Sequence, residues 1–168
     1  MGAEQSSSSD LLGTPFIPKK QLSVKDIIIV DMLNGPDHSK TLCYCISDPD
    51  LHDNPIIFCS DGFSELVGYT RDEVEGRNCR FLQGAKTDPG DIVKIRDAIK
   101  ENKEACLCLI NYKKNGSAFN NQFYLVPLFG AGGQLAYFLG IQVEVETPDD
   151  GQQQPKNLGW IRTMCLAE

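Results

Sequence analysis

The sequence predicts an α+β fold: five antiparallel strands with short helices gathered on one face of the sheet. Three observations point there. Apolar runs of strand length recur at 41–47, 55–59, 105–112, 118–128 and 135–145. The last three are linked as hairpins, by Asn115-Gly116 and by the glycine-rich stretch 130–133. Between the second and third runs the pattern changes to short helical stretches punctuated by caps and glycines.

Taken in order, residues 1–25 read as a flexible leader, with Ser6 to Ser9 followed by Gly13, Pro15 and Pro18. Residues 26–40 form an apolar cap segment, DIIIVDML at its core, closed by Asn34-Gly35-Pro36. Its β-branched centre suits a strand or a short helix, and in either form it is too apolar to stay in water. The main domain spans 41–146. Its first two strands flank a turn-rich stretch from Asp48 to Asn54. A short helix then starts at Asp61, turns Phe63, Leu66 and Val67 inward and ends at Gly68. Thr70 with Glu73 makes a capping box for a second helix that stops at Gly76. Asp88 and Pro89 open a longer one, with Ile92, Ile95 and Ile99 as its stripe. Residues 147–168 are a Gln-rich linker and a tail whose Leu158, Ile161 and Cys165 fall at helical spacing.

Composition narrows the function classes. At 168 residues and 41% hydrophobic content the chain is long enough for one ordinary core. Sixteen Lys and Arg against 23 Asp and Glu leave a net charge of −7, the wrong sign for nucleic acid or anionic lipid. No apolar run reaches the roughly 18 residues that a membrane span needs. Met1-Gly2 with Ser6 fits a myristoylation pattern, but no polybasic second anchor follows. The Ser-rich start, with no basic residue before Lys19, does not read as a secretion signal, and seven cysteines without a C-x-x-C pair suggest a reducing, cytoplasmic setting. With two histidines at no ligand spacing, no metal site is expected. Cys43 with Cys45, and Cys106 with Cys108, read as small buried hydrophobes.

The meander strands carry an unexpected polar pattern. Alternation puts Leu107, Leu109 and Asn111 on one face, Phe119, Asn121, Phe123 and Leu125 on another, and Phe138, Gly140 and Gln142 on a third. Each otherwise apolar face thus holds one carboxamide. An unpaired buried amide costs roughly 1–3 kcal/mol, so three on successive strands suggest a site of convergent donors and acceptors. A planar ligand with heteroatoms along one edge would satisfy them, walled by Leu107, Leu109, Phe119 and Phe138.

The run GRNCRFLQ, residues 76–83, resembles the signature of the light-oxygen-voltage (LOV) domains, the flavin-binding branch of the PAS superfamily. The similarity extends to DNPIIFCSDGFSELVGYTRDEV before it and to KIRDAIKE, NYKKNGSAF and YFLGIQVEV after it, which is nearly the whole of 41–145. The resemblance implies a PAS-like sheet and helices enclosing a flavin, and a blue-light sensor rather than an enzyme. Cys79 corresponds to the thiol that forms an adduct with flavin carbon C4a on illumination, after which N5 gains a proton. Asn111, Asn121 and Gln83 match the amides bonded to the pyrimidine edge, and Gln142 matches the glutamine beside N5, whose amide can rotate and pass the signal to the sheet. Arg80 and Arg96 match the arginines that hold the phosphate, and Asn78 an asparagine near the polar edge. The short stretch between the cysteine turn and the isoleucine-striped helix favours FMN over FAD, because members that accommodate an adenine are longer there. In plant-type members a large apolar residue stands where this chain has Asn120, a position that alternation turns away from the flavin.

Two other readings are weaker. An enzyme using Cys79 as nucleophile would need His38 or His52 as base, and both lie in turn-rich segments with no group to orient them. A flavin-free PAS interaction module would have no use for every flavin-contact residue type. As output, a light-dependent homodimer through 27–33, or an effector protein that the sequence does not name, is expected.

Overall fold

A computed structural model of the chain describes residues 13–146. Five antiparallel strands form one sheet in the order β2-β1-β5-β4-β3. They are β1 (Cys43–Ser47), β2 (Ile56–Cys59), β3 (Ala105–Tyr112), β4 (Ala118–Phe129) and β5 (Leu135–Val145). The bounds of β3 and β5 are those that alternation and turn residues predict. The turns follow their chemistry: Gly116 and Gly133 adopt positive φ of 85° and 83°, which a side chain would resist.

On one face lie α3 (Asp61–Val67), α4 (Arg71–Val74) and α5 (Pro89–Glu101). Ser60 caps α3 through its hydroxyl, which accepts from the Phe63 N–H at 3.1 Å, and Gly68 ends it in the left-handed conformation. The carboxylate of Glu73 accepts from the Thr70 N–H at 2.9 Å, half of the predicted capping box. Asp88 caps α5 through the Gly90 N–H, with Pro89 in the first turn.

The apolar cap segment is a helix, α1 (Val24–Leu33), and a single short turn, α2 (His38–Thr41), separates it from β1. Its β-branched centre is overruled by its ends. Ser23 caps the N-terminus, accepting from the Asp26 N–H at 3.2 Å, and the Asn34 N–H donates back to Val30 O at 2.9 Å. This helix, which precedes the 41–146 domain, lies on the opposite face of the sheet, while α3–α5 share one face as the sequence predicts. Val30 and Leu33 pack there with Tyr44, Ile46, Tyr124, Leu128, Tyr137, Leu139 and Ile141. Hydrophobic burial on both faces explains why a segment too apolar for water takes this position.

The leader expected to be flexible as far as residue 25 is held down over its second half. Phe16 is buried, with its ring 5.5 Å from those of Phe58 and Tyr137. Its N–H donates to Asn34 Oδ1 and its carbonyl accepts from Asn34 Nδ2, both at 2.7 Å. Lys20 Nζ reaches Asp48 at 2.5 Å, Asp50 at 2.8 Å and the Ala136 carbonyl at 2.8 Å. Leu22 bridges to Gly130 at the β4–β5 hairpin. Scattered apolar and basic residues between prolines gave no periodic signal for this strap. The first part of the leader, Gly2 included, and the tail from 147 onward lie outside the described residues.

One buried acid joins α1 to the sheet. Asp26, only 4% exposed, accepts from the Phe129 N–H at 2.9 Å and from the Ser23 hydroxyl at 2.7 Å. The Asp26→Ala variant strands both donors, so unfolding free energy should fall by roughly 1–3 kcal/mol. Urea titration of wild type and variant measures this, and hydrogen exchange should show the Phe129 amide losing protection; equal midpoints and equal protection would contradict the role given to Asp26.

Candidate functional site

The meander register places the three amides together. Leu109 pairs with Asn121, Asn111 with Phe119, and Phe123 with both Leu107 and Gln142. Asn111, Asn121 and Gln142 are each at most 4% exposed on the face toward α3–α5. Asn121 Nδ2 donates to Asn111 Oδ1 at 2.8 Å, and Asn111 Nδ2 donates to the Leu82 carbonyl at 3.2 Å. Asn121 Oδ1 is buried with no hydrogen-bond partner among the described residues. A buried acceptor left over at the end of such a chain is an invitation to a ligand donor.

These amides border a cavity, partly open to solvent, lined by Cys79, Leu82, Gln83, Ile95, Leu109, Asn111, Asn121, Phe123 and Gln142. Six of the candidates named from the sequence therefore meet: Cys79, Gln83, Leu109, Asn111, Asn121 and Gln142. Leu107 and Phe138 pack in the adjoining core beside Leu109 and Phe123, and Phe119 in the core beside Leu82. Leu82, Ile95 and Phe123 line the cavity without having been candidates. Their signals were present: Phe123 follows Asn121 in the same alternation, and Ile95 sits mid-stripe on α5.

Cys79 opens a 3-10 turn, Cys79–Leu82, capped by Asn78, whose Oδ1 accepts from the Arg80 N–H at 3.0 Å. Burial of the sulfur pushes the Cys79 thiol up, against the pull of the Arg80 guanidinium, so it rests protonated. Asn78 also donates through Nδ2 to the Asp53 carbonyl at 2.7 Å. Arg80 is exposed, its fork engaged by Asp53 at 2.5 and 2.6 Å. Arg96 is exposed on α5. Asn78, Arg80 and Arg96 thus stand outside the lining, the first as a cap and the second in an ion pair.

The lining has apolar walls, convergent amides with a spare acceptor, and a protonated thiol at one side. This donor set fits the ring system of a flavin, which is planar and carries N–H and C=O groups along one edge. A match to the PAS domain family model covers residues 41–146. The chain belongs to the PAS family, in its LOV branch. It is 50% identical over 119 residues to Phototropin-2 of Oryza sativa subsp. japonica, covering 68% of this chain and 13% of that protein. It is 43% identical over 115 residues to a blue-light photoreceptor of Listeria innocua, covering 68% of this chain and 45% of that protein. A solved light-oxygen-voltage domain, studied with a flavin analogue, superposes with a TM-score of 0.66 at 39% identity, covering 73% of this chain and 87% of that one. The chain spans less than half the length of either curated relative. As a LOV domain it is a blue-light-sensing, flavin-binding module.

The other cysteines of this LOV domain divide by position. Cys43, Cys45 and Cys59 are buried beneath α3, whereas Cys106 is exposed and Cys108 half-buried. The expectation that Cys106 is a buried hydrophobe fails because β3 is an edge strand and Cys106 points away from the pocket face. Among the described residues no cluster of His, Cys, Asp or Glu could hold a metal. Burial pushes Cys43 and Cys45 up, so both stay thiols at mildly alkaline pH. Brief alkylation there should label Cys106 well before Cys43 or Cys45, which should react only on unfolding. Peptide mapping by mass spectrometry reads the order, and early labelling of Cys43 or Cys45 would contradict the burial described.

Proposed function

We propose that this LOV domain senses blue light through a reversible bond between the Cys79 sulfur and carbon C4a of a bound FMN, the group that supplies light absorption and the excited state with which the thiol reacts. The observation that carries this reading is that Cys79 lines one cavity with three buried amides, one of which has a spare acceptor. Asn111, Asn121 and Gln83 orient the ring edge; Leu82, Ile95, Leu109 and Phe123 exclude water; Gln142 follows the proton state of the ring by turning its amide. Asn78 holds the cysteine turn. Arg80 and Arg96 serve the phosphate, Arg80 sharing its fork with Asp53. Leu107, Phe119 and Phe138 back the pocket walls. The domain turns over no substrate and is not itself an enzyme. Free buried thiols support a reducing, cytoplasmic setting, and among the described residues no helix is long and apolar enough to cross a membrane.

Output passes through the sheet. Cys43 faces Gln142 across β1 and β5, and the next pair, Tyr44 with Ile141, points to the opposite side. Burial pushes the Tyr44 hydroxyl up to about 12, so it stays a donor, and it reaches the Leu33 carbonyl of α1 at 3.4 Å. On its outer side α1 exposes Val24, Ile27, Ile28 and Met32. A loosened α1 bares Val30 and Leu33 beside this strip and offers both to a second copy of the chain, giving a lit dimer.

In the Cys79→Ala variant flavin should remain bound and fluoresce more brightly, while reversible bleaching is abolished; chromatography of flavin released from wild type should show FMN. Bleaching and dark recovery that persist in the variant would overturn the mechanism, and a predominance of FAD would overturn the cofactor assignment. For the output, size-exclusion with in-line light scattering should show a mass that rises on illumination in wild type and not in Ile28→Glu. Equal dark and lit masses across a concentration series would rule the dimer out.

A further inference from the structure

The connection between β1 and β2 carries a carboxylate that occupies Arg80. Asp53 receives both arms of the guanidinium fork, Nη1 donating to Oδ2 at 2.5 Å and Nη2 to Oδ1 at 2.6 Å. The same connection meets the cysteine turn a second time, where Asn78 Nδ2 donates to the Asp53 carbonyl at 2.7 Å. Asp53 and Asn54 both stand in the left-handed region, at φ 66° and 45°, a conformation that side chains resist and that Asp and Asn tolerate best. The Asn54 N–H closes this bend on the Leu51 carbonyl at 3.1 Å. Backbone and side chain together aim the Asp53 carboxylate at the residue that follows Cys79. The pair is open to water, with 59% of the Arg80 side chain and 45% of the Asp53 side chain exposed.

Such a pair exchanges partners at little cost. An exposed ion pair shifts an equilibrium by roughly a factor of two to five, because water screens the charges and both side chains must be ordered. A phosphate monoester carries about two negative charges at neutral pH and suits the same planar fork, so it is the stronger of the two partners. We propose that Asp53 is an internal competitor of the cofactor phosphate: it engages the Arg80 fork that the phosphate uses, and so sets how strongly the domain prefers FMN over riboflavin. This rests on the reading above, in which Arg80 serves the phosphate. Asp53 is then a positioning residue, acting on the cofactor through the guanidinium it holds. The sign follows from linkage: a bond that must be given up or shared on binding lowers affinity by its own strength, and a carboxylate beside the phosphate adds repulsion. Riboflavin has no phosphate, so its binding leaves the Asp53–Arg80 pair as it is.

The test uses the flavin-loaded full chain, equilibrated with FMN and riboflavin in proportions at which wild type binds both. Unbound flavin is removed by gel filtration, and the bound flavins are released and chromatographed. Wild type is compared with Asp53→Asn and with Arg80→Ala. Asparagine keeps the shape and tolerates the left-handed backbone while removing the charge. The bound ratio of FMN to riboflavin should rise roughly two- to fivefold in Asp53→Asn and fall in Arg80→Ala. A general loosening of the bend would weaken both flavins alike and leave the ratio where it was. If Asp53→Asn fails to fold, Asp53→Gly, which also accepts positive φ, should show the same rise. A ratio that stays at the wild-type value or falls in the Asp53 variants, while Arg80→Ala still lowers it, would overturn the competition and leave Arg80 on the phosphate. An unchanged ratio in Arg80→Ala would overturn the phosphate role of Arg80 and the competition together.

Discussion

Strand β5 is buried on both faces, and the pocket and the outer cover are both built on it. It lies between β1 and β4, and its alternate residues serve two separate cores. Phe138 and Gln142 face the cavity side, while Tyr137, Leu139 and Ile141 face α1 and the strap. Protein interiors are packed about as densely as organic crystals, so a strand held on both sides cannot shift without moving what lies above and below it. A change confined to one amide on the inner face has a mechanical route to the outer face, one residue away along the chain.

The outer cover is fastened by polar contacts at its ends and by hydrophobic packing between them. Asp26 binds one end of α1 to the Phe129 N–H, and Asn34 pairs with both backbone groups of Phe16 at the other. Lys20 and Tyr137 pin the strap, the tyrosine hydroxyl accepting from the N–H groups of Lys19 and Lys20 at 3.1 and 3.0 Å. Between these ends, Val30 and Leu33 bury almost completely. Such a cover is stable as a unit, yet it depends on a few directional bonds that a small displacement of the sheet can break. Hydrophobic burial tolerates sliding; a hydrogen bond to a fixed backbone group does not.

How much of this was legible in the sequence depended on which force decided each element. The strands were readable because turn residues bounded them and alternation fixed their faces, so Asn111, Asn121 and Gln142 could be placed together before any coordinates. The GRNCRFLQ stretch identified Cys79 and its family. Where tertiary packing decided, the sequence was silent. The β-branched run in α1 has no strong preference of its own, and its helical form comes from caps and from the sheet beneath it. The strap has no period because it is fastened by single contacts, Phe16 and Lys20, that no repeating pattern announces. Arg80 shows a further limit: a residue type suited to phosphate is also suited to a carboxylate, and Asp53, 27 positions earlier, was not visible as its partner.

The amides of the pocket are held with unequal firmness, and this inequality suits a sensor. Asn111 and Asn121 form a short chain that ends on the Leu82 carbonyl, both amides set by a neighbour of definite polarity and Asn121 Oδ1 left open to a ligand donor. A group held in that way orients a ligand and does not respond to it. Gln142 instead directs its NH₂ to the Cys43 and Gly140 carbonyls at 3.1 and 3.3 Å and leaves its oxygen beside the Cys45 sulfur, a weak partner. A signal can shift an equilibrium only by the difference in its interaction with the two states, so the states must lie close in free energy for one changed proton to reverse their order. Strong, fixed partners around Gln142 would widen that gap beyond the reach of one hydrogen bond. The strong amide bonds therefore lie on β3 and β4, where the proposed function places the ring edge, and the weak ones on β1 and β5, where the fold connects to its outer cover.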